Sequence, residues 1–561
     1  MRIVRRSVPE SVAALTAAGI APVLARVYAA RGVRSPEELA LDLDRLPSWT
    51  SLKGIDAAAE RLASAIARRQ RLLIVADYDA DGATACAVGV LGLRALGASV
   101  DFLVPNRFEF GYGLTPEIVA LAAQRGPHLI ITVDNGIGSV EGVAAARALG
   151  IEVLITDHHL PGAELPGTEL IVNPNQPGCG FPSRHLAGVG VMFYVLLALR
   201  ARLREQGRFR DGAAPKLGSL LDLVALGTVA DVVILDHLNR ILVGQGLRRI
   251  RAGRMQPGLR ALFAAAGRDP SRASAYDLGF VLGPRLNAAG RLADMSVGIA
   301  CLLAPDEQSA APLAAELDRL NRERREVEAA MQAQALDGLE AVVGDEQYTV
   351  CAYRPEWHQG VAGIVASRLK DRFHRPAIVF APGSDGELRG SGRAIPGFHL
   401  RDALDLVAKR APGAIRRFGG HAYAAGLTLA EDALPRFARE FERVARERLT
   451  PGALHRTIET DGELASAELT LGLARAIAGE VWGQGFPAPL FEGHFGVVEQ
   501  RVVGEKHLRL AVDSSSARLQ AIVFDELGPL PDRISATYRP EVNRFQALES
   551  LQLVIDGWQA A

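Results

Sequence analysis

Short apolar runs that stop abruptly at acidic residues punctuate the first half of the chain. Leu72-Leu73-Ile74-Val75-Ala76 runs into Asp77-Tyr78-Asp79-Ala80-Asp81-Gly82, and Leu129-Ile130-Ile131-Thr132-Val133 ends at Asp134-Asn135-Gly136. Val153-Leu154-Ile155-Thr156 ends at Asp157-His158-His159, and a longer run over residues 220–230 ends at Asp231. Apolar runs bounded by polar or Gly-rich residues read as strands buried on both faces, so all four are expected to be strand-like. Residues 82–96 have helical apolar spacing closed by Gly97. The alternation of strand and helix over residues 51–245 predicts a parallel, doubly wound sheet.

The same reading divides the rest of the chain. Residues 1–50 form a helical lead-in, with Pro36-Glu37-Glu38-Leu39 as a helix start. Residues 246–345 are mostly helical. The charged run Leu317-Asp318-Arg319-Leu320-Asn321-Arg322-Glu323-Arg324-Arg325-Glu326 marks a solvated helix linking domains. Residues 346–450 resume α/β alternation, with strands near Tyr348-Thr349-Val350-Cys351-Ala352 and Ala377-Ile378-Val379-Phe380. Residues 455–561 combine a helical insert with strand-like runs at Phe495-Gly496-Val497-Val498, His507-Leu508-Arg509-Leu510-Ala511-Val512, Ala521-Ile522-Val523-Phe524 and Leu551-Gln552-Leu553-Val554-Ile555, a small β unit.

Composition narrows the class. A chain of 561 residues holds roughly three to four domains, and 48% hydrophobic with 23% charged residues is ordinary for a soluble globular protein. The longest apolar stretch, residues 186–199, is too short to span a bilayer, and residues 1–10 lack the apolar core of a signal peptide. The four cysteines (Cys86, Cys179, Cys301, Cys351) have no metal-binding spacing and read as reduced thiols. A cytoplasmic protein without membrane association is expected. The net charge of −1 does not mark a general nucleic-acid binder, although an enzyme needs a basic channel only locally. Lysine supplies five of the 63 cations, an Arg bias that suits phosphate forks but also a GC-rich genome.

In open α/β sheets the ligand site gathers beyond the carboxyl ends of the strands, where these carboxylates and imidazoles fall. Asp-x-Asp-x-Asp-Gly also opens an EF-hand loop, but the twelfth position from Asp77 is Val88, which cannot ligate calcium. Metal-assisted hydrolysis needs an activated water, charge relief on the electrophile and help for the leaving group, and two divalent cations supply all three. Asp79, Asp81 and Asp134 can bridge or flank such a pair, with Asp231 closing one shell. His158 adds an imidazole that shifts preference from magnesium towards manganese.

These ordered motifs resemble those of the DHH phosphoesterases. Arg417-Phe418-Gly419-Gly420-His421-Ala422-Tyr423-Ala424-Ala425-Gly426 is similar to the Gly-Gly-His signature of the domain that accompanies DHH. Arg285-Leu286-Asn287-Ala288-Ala289-Gly290-Arg291 and Trp357-His358-Gln359-Gly360-Val361-Ala362-Gly363-Ile364 resemble the single-strand-specific 5′ exonuclease branch of that family. The resemblance implies a DHH domain over 51–245, a helical connector over 246–345, a smaller α/β DHH-associated domain over 346–450, and an OB-like β domain over 455–561 that suits single strands. It implies that His158 ligates metal and that His159 contacts the phosphate, with Asp134 the central catalytic carboxylate. Several relatives carry a histidine four residues before Asp79, where this chain has Val75; Asp77 either compensates as a ligand or orients the loop.

Arg107, Arg285, Asn287, Arg291, Ser391, Arg393, Gly420 and His421 are the substrate-binding candidates. Arg285 and Arg291 serve equally well in structural salt bridges. Gly390-Ser391-Gly392-Arg393 joins backbone donors to a guanidinium, and Gly420 permits close backbone approach beside His421. Trp357, Phe398 and Phe486 could stack on bases but are more often core. The implied function is Mn2+- or Mg2+-dependent 5′-to-3′ hydrolysis of single-stranded DNA, with two ions. A phosphodiesterase for short oligonucleotides or cyclic dinucleotides, and an inactive single-strand-binding scaffold, are the alternatives. A helicase and a single-strand-binding protein are partners such an enzyme would meet, although the residues do not specify them.

Overall fold

Strand β1 (Arg71–Ala76) is buried from Leu72 onward, as expected of a central strand with helices on both faces. It lies between β2 (Ser99–Leu103) and β3 (Leu129–Val133), followed by β4 (Glu152–Thr156) and β5 (Ile171–Val172), in the order β2-β1-β3-β4-β5. Every pairing in this sheet is parallel. The order reverses at β1, so the loops leaving β1 and β3 open at a topological switch point. In the computed structural model, which describes residues 2–105, 110, 113–209, 213–339, 344, 346–383, 386–514, 518–546 and 548–561, the chain divides into two compact units. One comprises Met1–Val4 with Arg319–Ile458, the other Arg5–Asp318 with Glu459–Ala561.

Helix α1 (Ala80–Ala95) follows the first acidic motif and is buried almost all round. Its small residues permit this. A Cβ on Gly92 would lie 2.3 Å from Leu196 of α2 (Gly188–Glu205), so the two helices meet at close range. The 220–230 run is not a strand. It forms helix α3 (Leu221–Ala230), with every residue from Leu221 to Thr228 buried. A helix buried on all sides shows no 3.6-residue period, and a run this long favours helix over strand on length alone. The lead-in also differs from a purely helical segment: a strand, Arg2–Arg5, precedes helices Ser11–Ala17 and Pro22–Ala29, and Pro36–Leu39 is a single 3-10 turn.

After α3 come helix α4 (Gly283–Leu292) and the long helix α5 (Glu307–Leu339), in which the unit boundary falls. The unit containing Arg319–Ile458 has a mixed sheet of β6 (Val350–Tyr353), β7 (Ala377–Pro382), β8 (Glu387–Arg393), β9 (Arg417–Gly420) and β10 (Ala424–Ala430), ordered β9-β10-β8-β7-β6. Only β6 and β7 pair in parallel. Helix α6 (Gln359–Phe373) links them, and Phe380, Phe398, Phe437 and Phe441 fill the core.

The C-terminal residues form a closed barrel of β11 (Phe491–Val503), β12 (His507–Asp513), β13 (Arg518–Val523), β14 (Arg533–Phe545) and β15 (Leu548–Ala560), ordered β11-β12-β13-β15-β14. Closure between β11 and β14 removes the sheet edges. Val23 and Val27 of the lead-in pack against this barrel's core beside Phe491 and Tyr538. Among the described residues, no helix is long and apolar enough to cross a membrane.

Candidate metal centre

The three acidic motifs and Asp231 converge. Asp77, Asp79 and Asp134 form one group whose ligand atoms lie within 4.8 Å of one another, and Asp81, His158 and Asp231 form a second. A third group, Asp134, His158 and His159, overlaps both, which puts Asp134 and His158 at the join. Nε2 of His158 lies 3.1 Å from Asp134 Oδ1, 3.5 Å from Asp231 Oδ2 and 4.0 Å from Asp81 Oδ2. That nitrogen is buried and makes no hydrogen bond among the described residues, so its surroundings suit a cation held jointly with the carboxylates.

Local structure explains how each side chain is held. Asp79 is the N-cap of α1, with Oδ1 accepting from Gly82 N at 2.9 Å. Asp81 accepts the first amides of α2, from Gly188 at 2.6 Å and Val189 at 2.9 Å, at the positive end of that helix. A Cβ on Gly188 would lie 2.6 Å from the Asp134 Cβ, so glycine is required for this approach. Asp134 has φ +63° and Val232, next to Asp231, has φ +65°. Left-handed backbone at a non-glycine residue costs on the order of 1–3 kcal/mol and clusters at functional sites.

Asp157 organises the histidine pair. Its buried Oδ1 accepts from His158 N at 2.7 Å, from His159 N at 3.1 Å and from the His159 ring at 2.8 Å, while Oδ2 accepts from Ile137 N at 2.9 Å. Asn175 and Asn173 donate to the His158 and His159 carbonyls at 2.6 and 3.0 Å.

The electrostatics separate the two imidazoles. Burial, then the neighbouring His159, pulls His158 down to about 4, leaving it neutral near pH 7. For His159 burial acts downward too, but the hydrogen bond and charge of Asp157 outweigh it and raise the ring to about 9. Burial raises Asp134 and Asp231 well above the usual carboxylate range, with mutual repulsion from Asp81, Asp79 and Asp77 adding to it. Asp81 rises to about 7 through burial and Asp79, against the two helix amides. Buried carboxylates that repel one another around a neutral imidazole fit hard divalent cations such as Mn2+ or Mg2+.

The remaining predicted residues lie in different settings. Arg285 is buried and paired with Asp318 at 2.8 Å, and it donates to the Val281 carbonyl at 2.6 Å, a structural ion pair. Asn287 Oδ1 accepts from Ala80 N at 2.8 Å and so anchors the start of α1 rather than reaching outward. Arg291 is half-buried near the end of α4. Arg107 lies outside the described residues. In the other unit, Ser391 and Arg393 lie on β8 with Arg393 in register with Ala424 of β10. Burial lowers the Arg393 pKa, and among the described residues no carboxylate pairs with it. Gly420 has φ +136° beside the exposed His421. Trp357, Phe398 and Phe486 are buried, as core aromatics are.

Asp157 and the α2 amides are the contributors that motif reading left without a role. Asp157 stood inside the quoted Asp-His-His triplet, so its signal was present. Backbone amides carry no side-chain signal, and the glycine pair Gly188 and Gly190 at the start of α2 is the trace they leave.

A parallel sheet with acidic and imidazole donors at its switch point, a second mixed-sheet unit and a closed five-stranded barrel define a protein of the DHH class. Residues 71–228 match the DHH family, N-terminal domain; residues 345–447 match the DHHA1 domain; residues 460–557 match the RecJ OB domain. The chain belongs to the RecJ family. It is 50% identical to the single-stranded-DNA-specific exonuclease RecJ of Escherichia coli K12, over 99% of this chain and 98% of that protein. The crystal structure of RecJ in complex with Mn2+ from Thermus thermophilus matches with a TM-score of 0.84 at 30% identity, covering 100% of this chain and 79% of that one. The Mg2+ complex from the same organism matches at 0.79 and 29% identity, covering 100% and 78%.

Proposed function

We propose that this protein is a two-metal, single-stranded-DNA-specific 5′-to-3′ exonuclease acting in DNA repair and recombination. The carrying observation is that two separate donor groups are joined by a third, which takes Asp134 from one and His158 from the other, with His158 Nε2 3.1 Å from Asp134 Oδ1. Asp77, Asp79 and Asp134 would hold one ion, and Asp81, His158 and Asp231 the other, with Asp134 between them. Bound Mn2+ or Mg2+ supplies an activated water and charge relief on the phosphate. Asp157 holds the His159 ring protonated and oriented, which suits it to donate to a non-bridging phosphate oxygen. An inactive scaffold of this fold would lack part of the donor set, and a phosphodiesterase for dinucleotides has no need of the barrel.

Residues 51–245 are read as the metal-binding domain, 246–345 as its helical connector, 346–450 as the domain that selects the strand end, and 455–561 as the single-strand-binding barrel. Arg393, with Ser391, Gly420 and His421, is assigned to the 5′-terminal phosphate. This reading is supported by a half-buried guanidinium with no carboxylate partner among the described residues. A helicase that opens duplex and a single-strand-binding protein that coats the product strand are the proposed partners, in the cytoplasm. End-labelled oligonucleotides test the assignment. Mononucleotides released from the 5′ end of single strands with Mn2+ or Mg2+ support it, and equal rates on blunt duplex or release from the 3′ end contradict it.

A further inference from the structure

Two large aromatic side chains outside the metal centre have no core role. Tyr276 is 60% exposed and Phe280 is 67% exposed, yet their rings stack on each other with centroids 5.1 Å apart and planes 19° from parallel. Scattered single apolar residues on a surface need no explanation, but an ordered pair of exposed rings is a ready stacking surface. The pair straddles the start of a π-helical segment, Asp277–Leu282, a rare conformation that occurs mostly as single turns within α-helices and is frequent at functional sites. Ser274 fixes the entry to this segment: its amide and hydroxyl both donate to Asp277 Oδ2, at 2.9 and 2.8 Å.

The segment continues directly into α4, and this continuous helix touches the metal-bearing loops at successive points. A Cβ on Gly279 would lie 3.1 Å from Val229, and one on Gly283 3.1 Å from Ala230, so the helix packs on the end of α3 that leads into Asp231. Asn287 accepts from Ala80 N at the start of α1. A Cβ on Gly290 would lie 1.9 Å from the Tyr78 carbonyl, between Asp77 and Asp79. Tyr276 thus lies about three turns before Asn287 on one continuous helical stretch.

We propose that Tyr276 and Phe280 form a stacking platform for an unpaired base of the substrate strand, a binding site held in fixed register with the metal loops by α4. The proposal rests on the single-strand reading above. Aromatic stacking accepts any base, because each has a π-face, so the platform would add affinity without sequence preference. A duplex keeps its bases stacked inside and cannot use it.

The test uses the full chain. Binding of a fluorescent single strand is measured without metal, and kcat and KM with Mn2+, for wild type, Tyr276→Ala/Phe280→Ala and Tyr276→Leu/Phe280→Leu. Both variants should bind roughly tenfold more weakly and raise KM by a similar factor, with kcat within about twofold. The leucine pair preserves apolar bulk without π-stacking, so wild-type affinity for it overturns the proposal. In the wild type, an abasic substitution at one strand position should reproduce the loss, and in the variants it should add nothing. An abasic scan that is flat across all positions also overturns the proposal, as does loss of binding to a protein partner with strand affinity unchanged. Failure of the wild type itself to bind or cut single strands would instead sink the underlying functional reading.

Discussion

The Asp157 carboxylate accepts from the His159 ring at 2.8 Å and, through the same oxygen, from the backbone amides of both His158 and His159. One buried oxygen thereby sets the orientation of two adjacent imidazoles with opposite charge preferences. Asp157→Asn removes the charge and presents a donor where acceptors are needed. Activity should fall on the order of 10- to 100-fold with a modest loss of metal affinity. The pH profile carries the sign: His159 is protonated below about 9, so wild-type activity should decline on the alkaline side near that value. In the asparagine variant the decline should begin at lower pH, because the raising partner is gone. An unchanged alkaline limb would show that His159 protonation does not enter the reaction.

Gly188→Ala tests the close contact between α2 and the metal cluster. The added Cβ would meet the Asp134 Cβ at 2.6 Å, and the same residue's amide donates to Asp81. Either Asp134 or the first turn of α2 must move, so activity should drop at least tenfold while overpacking costs about 1–3 kcal/mol of stability. Full activity with an unchanged melting temperature would show that the site tolerates displacement of Asp134.

Much of this site was legible because parallel strands buried on both faces leave continuous apolar runs. Leu72-Leu73-Ile74-Val75-Ala76 and Leu129-Ile130-Ile131-Thr132-Val133 end at the residues that converge. The run before Asp231 misled on element type, since a helix buried on every side has no polar face to reveal its period. Its terminal carboxylate still reaches the cluster. Arg285 and Asn287 show the limit for polar residues: their chemistry suits phosphate, but Asp318 and the Ala80 amide engage them within the protein. Partners distant in sequence cannot be read from local pattern.

Arg393 should govern end recognition more than chemistry. Arg393→Ala is expected to lower the preference for a 5′-phosphate over a 5′-hydroxyl by about tenfold or more, the scale of one charge-assisted contact. Turnover on 5′-hydroxyl substrates should change little. The ratio of rates on the two substrates is the measurement, and a ratio equal to wild type would remove Arg393 from the terminal pocket.

The most direct test of the metal centre is Asp134→Asn, assayed on 5′-labelled single-stranded DNA with Mn2+ alongside thermal melting. Removing one of several mutually repelling carboxylates should leave the metal-free melting temperature equal to wild type or higher, since burial and neighbouring charge disfavour its ionised form. The stabilisation that Mn2+ gives the wild type should shrink. Hydrolysis should fall by about three orders of magnitude or more, because the carboxylate that belongs to one donor group and sits beside His158 of the other is lost. Near-normal turnover by this variant would contradict the two-metal account.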